Sequence, residues 1–315
     1  MGGLPEVRLY RPGDEVGITR LFQDVFGREM ALSEWRWKYA GRGNGKIYCA
    51  VAVDETDGIV AHYGGMPHRM IYQGKEVYGL AIGDVMVHAR HRGFKLFREV
   101  ASLVPEEAVK DGIILGYGFP NERALRLPEK LGLYEKIEDV LEANKEVTFW
   151  NNPVRYVYKL FPVHYDDGRL DALWEEVKEN HVLSVIRDRD YLRWRYQRHP
   201  RHAYELWGLR RRWTGRLCGL AVLRRDDERV LIIDFVCPLP LMDALFQKIE
   251  NVAYAAGKRR LTLWHPEYLK QKMTQIGFSV GFAGTSIPRT THEKTLRKDE
   301  MAGRFFYTMG DTDFL

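Results

Sequence analysis

Between Leu80 and Phe97 the apolar spacing changes from two residues to about 3.6, which constrains the chain more than any other stretch. A strand ending near Val87 hands over, through the basic turn His88-Ala89-Arg90-His91-Arg92-Gly93, to a helix running on through Val100, Ala101, Leu103 and Val104. Such a junction attracts anions. The first-turn N–H groups have no partner inside the helix, and the helix dipole adds partial positive charge at the same end. Arg90, His91, Arg92 and Lys95 raise that potential further.

The segments around this junction alternate between strand and helix signals. Val7 to Tyr10 reads as a strand, broken by Pro12-Gly13-Asp14; a helix bearing Ile18, Leu21, Phe22, Val25 and Phe26 follows and ends at Gly27. Ser33 caps a second helix, Glu34-Trp35-Arg36-Trp37-Lys38-Tyr39, and Gly41 to Gly45 forms a turn. Strands are expected at Ile47 to Val53 and Ile59 to Tyr72, divided by Glu55-Thr56-Asp57-Gly58, with a further turn at Gln73-Gly74-Lys75. After the junction helix come a strand from Ile113 to Gly118 and a helix opened by Pro120-Asn121 and closed by Leu131-Gly132-Leu133.

The pattern then runs a second time. Tyr191-Leu192-Arg193-Trp194-Arg195-Tyr196 echoes the earlier aromatic helix, with Trp37 and Trp194 separated by 194 − 37 = 157 residues. Asp84 and Asp234 lie 150 apart, while Gly112 and Gly257, and Gly132 and Gly277, lie 145 apart. The second copy has therefore lost residues where the first has its basic turn. Cys237-Pro238-Leu239-Pro240 stands there instead, and its prolines remove N–H donors. These offsets predict two domains, residues 1–150 and 151–315, joined by an aromatic-rich and packed link, Val147 to Pro162, that contains Trp150-Asn151-Asn152-Pro153. The aromatic residues of the repeated motif, Trp37, Tyr39, Trp194 and Tyr196, are expected in the core.

With 315 residues, 45% of them hydrophobic, the chain can bury one core and by length more readily two. No apolar run approaches membrane-spanning length, the best being Val230 to Cys237 with Asp234 inside it, and Met1 to Glu6 has no signal-peptide core. The expectation is a cytoplasmic protein with no membrane partner. Cys49, Cys218 and Cys237 are unpaired in spacing and lie in apolar runs, which predicts buried, reduced thiols and no metal site. A formal charge of +5 does not imply nucleic acid, though it suits an anionic ligand.

Asp84-Val85-Met86-Val87 followed by a polar turn and Arg92-Gly93 resembles the acyl-CoA signature of the GNAT acyltransferase superfamily, and the order of elements over residues 7 to about 150 resembles that family too. The resemblance implies an α/β (α+β) fold of two tandem GNAT-like domains, each a mixed, mostly antiparallel central sheet flanked by helices. It also implies acyl-CoA, most simply acetyl-CoA, as substrate, and N-acyl transfer to a small-molecule or peptide amine. In this reading Val85, Met86 and Val87 line the thioester arm and supply an oxyanion N–H. Arg92, Gly93, Phe94, Lys95, Leu96 and Phe97 form the pyrophosphate loop, and Asn121 opens the following helix. The sequence departs from the family pattern at Lys95, where a central Gly belongs, at Phe97, a small-residue position, and at Pro128, where a proton-donating Tyr is common. Asp84 is the candidate base, although its recurrence as Asp234 also fits a structural role; His62, Tyr63 and His68 are alternatives. Tyr117 is the candidate acid, with Tyr134 also near. Two other readings stay open: a non-catalytic acyl-CoA or small-molecule binding module, and an aminoacyl transferase resembling the tandem enzymes of cell-wall synthesis.

Overall fold

The computed structural model describes residues 4–40, 45–149 and 157–312. Most of the turn at 41–45 and the Trp150-Asn151-Asn152-Pro153 part of the link lie outside them. In chain order, β1 (Glu6–Leu9), α1 (Asp14–Phe26), α2 (Leu32–Tyr39), β2 (Tyr48–Asp54), β3 (Gly58–Tyr72) and β4 (Lys75–Val87) lead into α3 (Phe94–Lys110). Then come β5 (Leu115–Tyr117), α4 (Glu122–Lys130) and β6 (Tyr134–Glu146). The second half holds β7 (Tyr158–Pro162), α5 (Arg169–Val177), β8 (Leu183–Val185), α6 (Arg189–Leu192), β9 (Glu205–Arg211), β10 (Leu217–Arg225) and β11 (Arg229–Val236). It closes with α7 (Met242–Ala255), β12 (Arg260–His265), α8 (Lys270–Ile276), β13 (Ser279–Thr290), α9 (Lys298–Met301) and β14 (Phe305–Phe306). The protein is thus mixed α/β with mostly antiparallel strands.

The chain gathers into two compact units. The first holds residues 1–70, 76–138 and 285–302. Its strands run in the order β1, β2, β3, β4, β5 and then residues 285–290 of β13. β1 and β2 pair antiparallel, as do β2 and β3, whereas β4 and β5 are parallel. The apolar stripe of α3 (Val100, Ala101, Val104, Ala108) packs on Ala50, Tyr63 and Leu80, as its 3.6-residue spacing requires.

The second unit holds residues 71–75, 139–284 and 303–315. It repeats the layout: β9, β10 and β11 are antiparallel neighbours, β11 is parallel to β12, and α7 lies in the core with them. Beside β12 runs residues 141–146 of β6, just as β13 provides the neighbour of β5 in the first unit. The spaced glycines are structural equivalents. Gly112 (φ 79°) and Gly257 (68°), like Gly132 (69°) and Gly277 (96°), turn the chain through the left-handed region after a helix, where a Cβ is penalised.

The aromatic motif of the second unit does more than fill space. After α6 it continues as a wider π-type turn, Arg193–Gln197, from which the Tyr196 hydroxyl donates to Asp234 Oδ2 at 2.7 Å. Fully buried Arg187 donates to Asp234 Oδ1 at 2.8 Å and to Asp311 Oδ2 at 2.6 Å. Burial, reinforced by Asp234 and opposed by Arg187, pushes the Asp311 carboxyl up to about 6. That value lies above the ordinary unfolded one, so the stabilisation Asp311 gives is complete below roughly pH 4 and is lost as pH rises through about 6. Asp311→Asn keeps an acceptor for Arg187 and cannot ionise. The stability of the variant relative to the parent is therefore expected to rise between pH 4 and 8, by on the order of 2 kcal/mol in urea titrations. A difference that is flat with pH would show that Asp311 ionises as freely folded as unfolded.

Candidate functional site

β4 and β5 touch over three residue pairs only, Gly79 with Leu115, Leu80 with Gly116 and Ala81 with Tyr117. Beyond them β5 ends while β4 runs on to Val87, so the two strands splay. Near the foot they remain close: a Cβ on Gly118 would lie 3.1 Å from the Ile82 carbonyl oxygen, which explains a glycine there. Above the foot the β4 backbone lacks its β5 partner, and it is this stretch that carries Val85, Met86 and Val87.

A bulge shapes that stretch. Asp84 has φ of +48°, a left-handed conformation that costs a non-glycine residue about 1 to 3 kcal/mol. It shifts the alternation of the strand. Ile82 and Val85, three apart, join Val87 against the α3 side of the core, where strict period two would separate them. Three side chains hold Asp84 in place. Lys38 Nζ donates to both carboxylate oxygens at 3.1 and 3.0 Å, the Tyr39 hydroxyl donates to Oδ2 at 2.7 Å, and His62 Nδ1 donates to the Asp84 carbonyl at 2.7 Å. Lys38 is itself 1% exposed, so this is a buried ion pair.

Tyr39–Asp84 and Tyr196–Asp234 are therefore the same contact in the two units, both at 2.7 Å. The recurrence of Tyr and Asp at matching positions was the sequence signal for it. Lys38 carried no such signal, because its counterpart Arg195 donates to the Gly310 carbonyl and Arg187 takes over the pairing with Asp234.

The turn after β4 is braced on one side. Arg90 and His91 reach Asp57 in the β2–β3 turn at 3.0 and 2.7 Å. Asp54 and Asp57 with His91 would be a candidate metal group, but Asp57 is committed to these two bonds and Asp54 accepts from the Thr56 and Asp57 N–H groups. Arg92 is exposed and makes no side-chain hydrogen bond or ion pair among the described residues. Gly93 precedes α3 in extended conformation and offers no side-chain cap, which leaves the first N–H groups of α3 open. Lys95 is exposed and reaches only Glu99, at 4.0 Å. Phe94 is also exposed, whereas Leu96 and Phe97 pack into the α3 core. Phe97 thus occupies its small-residue position by turning inward, and Lys95 replaces the central glycine on the solvent side.

Asn121 is spent on its own helix, its Oδ1 accepting from the Ala124 N–H at 2.9 Å. Pro128 lies on the buried face of α4. The Tyr117 hydroxyl is bonded to His68 Nδ1 at 2.8 Å, and both residues are buried. Tyr117 stands beside Ala81, four residues below Val85, roughly 13 Å along the strand. A second phenol pair was not singled out as a unit in the sequence: the Tyr63 and Tyr134 hydroxyls are 2.7 Å apart and pack in the cluster that holds Ile82, Val85 and Val87. Burial raises both above the ordinary phenol value, so both stay protonated. His62 is fully buried. Because Nδ1 donates to a carbonyl, Nε2 carries the lone pair, and it has no hydrogen-bond partner. Burial lowers its pKa, which keeps the ring neutral.

In the second unit the corresponding turn is Leu239–Leu241 before α7, with Leu239 exposed and no basic residue present. The three cysteines are buried and free, with burial pushing each thiol pKa up, which keeps them unreactive. Among the described residues no helix is long and apolar enough to cross a membrane.

Residues 6–136 match a family model described as an acetyltransferase (GNAT) domain. No curated protein matches the sequence. Among solved structures the chain is similar to a conserved protein of unknown function from Enterococcus faecalis V583, a probable N-acyltransferase, at 14% identity and a TM-score of 0.72, covering 92% of this chain and 72% of that one. It is similar to a GCN5-related N-acetyltransferase from Anabaena variabilis at 14% identity and a TM-score of 0.67, covering 90% and 72%. It is also similar to Saccharomyces cerevisiae N-myristoyltransferase with bound myristoyl-CoA, at 9% identity and a TM-score of 0.60, covering 90% and 82%. At these identities the likeness to the solved structures is one of fold.

Proposed function

We propose, from the premise that this chain belongs to the GNAT superfamily through its residues 6–136, that it is an acyl-CoA-dependent N-acyltransferase whose first unit binds the CoA and carries the chemistry. The observation that carries the reading is the splay of β4 from β5 directly before an uncapped, basic helix start. Such a start offers open N–H groups and two exposed cations, Arg92 and Lys95, to a pyrophosphate. Exposed Phe94 beside them suits the adenine ring. The splay leaves β4 backbone N–H groups at Val85 to Val87 to receive the thioester oxygen as it becomes an oxyanion. Acetyl-CoA is the simplest acyl donor, and an amine on a small molecule or peptide the acceptor.

The residues divide the remaining work. Asp84, paired with Lys38 and Tyr39, fixes the bulge and so the aim of the N–H groups that follow it. His62 holds its Nε2 lone pair free of any hydrogen bond and takes the amine proton. Tyr134, backed by Tyr63, returns a proton to the leaving thiolate from the same cluster that holds Val85; Tyr117, backed by His68 at the foot of the splay, is the competing donor.

Calorimetry with CoA tests the binding half. One site per chain is expected, because the turn at 237–240 has neither cations nor glycine. Arg92→Ala is expected to weaken binding by about 1.5 to 3 kcal/mol, the value of a charge-assisted phosphate contact. Two equivalent sites would remove the asymmetry, and an unchanged affinity would remove Arg92 from the phosphate site.

A further inference from the structure

The turn between β9 and β10 carries a feature that acyl transfer does not use. Arg210-Arg211-Arg212-Trp213-Thr214-Gly215-Arg216 closes a hairpin in the second unit, held by the Gly215 N–H on the Arg211 carbonyl at 3.0 Å and the Arg211 N–H on the Arg216 carbonyl at 3.2 Å. At its tip Trp213 is 76% exposed, more than any other aromatic residue among those described. An indole left in water on a well-formed turn gives up apolar burial of the size that fixes cores. The charge around it is of one sign. Arg211 and Arg212 are exposed and make no side-chain ion pair among the described residues. Arg210 lies over the Phe161 ring at 4.9 Å, and Lys159 is its register partner on β7. The carboxylates that approach the hairpin are already taken: Glu176 by Arg216 at 2.6 Å, and Asp167 by Arg169, whose Nη1 reaches the Gly215 carbonyl at 3.4 Å.

We propose that this hairpin tip is a membrane-contacting element, with Trp213 seated in the interface of an anionic phospholipid surface and Arg211 and Arg212 on its headgroups. Trp is enriched at that depth because its ring is apolar and its N–H is polar, and arginines beside it gain from the negative surface potential. A single aromatic on a convex tip distinguishes this from single-stranded nucleic acid recognition, which stacks successive bases on several aromatics along a groove. Nothing in the contact spans a bilayer. The sequence-based expectation of no membrane partner rested on spanning runs, which a peripheral contact does not need.

Vesicle flotation with the full chain decides the matter. The protein is expected to float with phosphatidylcholine vesicles containing phosphatidylglycerol and not with phosphatidylcholine alone, and to be released by raised salt. Arg211→Ala with Arg212→Ala is expected to lower the partition coefficient about thirtyfold, and Trp213→Ala to lower it as well, at an unchanged melting temperature since all three side chains are exposed. Equal flotation on neutral and anionic vesicles, or variants that float like the parent, would overturn the proposal. So would a single-stranded oligonucleotide that binds the hairpin while anionic vesicles do not.

Discussion

Thiol release from an acyl-CoA in the presence of an accepted amine is expected to fall by roughly 10²- to 10⁴-fold in Tyr134→Phe, with CoA affinity close to the parent value. The change removes one hydroxyl and leaves the ring in place, so its packing against the core cluster that holds Val100, Ala101 and Val104 survives. Burial holds Tyr134 protonated, and Tyr63 at 2.7 Å can replace a donated proton through its own hydroxyl. Tyr63→Phe should therefore show a smaller loss in the same direction, because Tyr134 remains. Tyr117→Phe is the informative control. Its hydroxyl is engaged by His68 beside the last paired residues of β4 and β5, so turnover near that of the parent is expected. If Tyr117→Phe loses activity and Tyr134→Phe does not, the acid is Tyr117. If the parent binds CoA and releases no thiol with any amine offered, the chain is a binding module.

Asp84→Asn is expected to destabilise the protein by about 3 to 5 kcal/mol, because it removes one charge of a buried ion pair with Lys38. The isosteric amide changes almost nothing else: it still accepts from the Tyr39 hydroxyl and keeps the carbonyl bonded to His62. A double variant, Lys38→Met with Asp84→Asn, should recover part of that loss, since it removes the buried ammonium together with the carboxylate it pairs with. Chemical denaturation of the four proteins of the cycle measures this directly. Additive single effects would show that the pair is not coupled. Thiol release by the refolded double variant then separates the two roles of Asp84. Turnover preserved with the bulge intact makes Asp84 a positioning residue, and turnover lost at restored stability returns it to the list of bases.

The local elements were legible in the sequence because their causes are local. The change of period at Gly93, the Gly132 and Gly277 stops and the Glu55-Thr56-Asp57-Gly58 turn depend on neighbours within a few residues, and each lies where backbone preference puts it. The repeat was legible too, since Tyr39 and Tyr196 recur 157 residues apart and Asp84 and Asp234 150 apart, and that recurrence set a structural role for Asp84 beside that of base before its contacts with Lys38 and Tyr39 were visible.

What the tertiary structure decided concerns residues that meet across long separations. Chain order alone assigns residues 285–302 to the second half, yet contacts gather them with the first unit, because the β5 edge left by the short pairing with β4 is completed by β13. Lys38 reaches Asp84 over 46 residues, and Tyr63 reaches Tyr134 over 71. No periodicity or spacing rule encodes such pairs, since a hydroxyl or an ammonium finds its partner only after the sheet has set the register of both strands. The basic, uncapped helix start was legible in the sequence, through the Gly93 that precedes α3 and Arg92 beside it. The identity of the groups that surround the splay was fixed by the packing of β3, β4 and β6 against α3, which brings separate stretches of chain to one point.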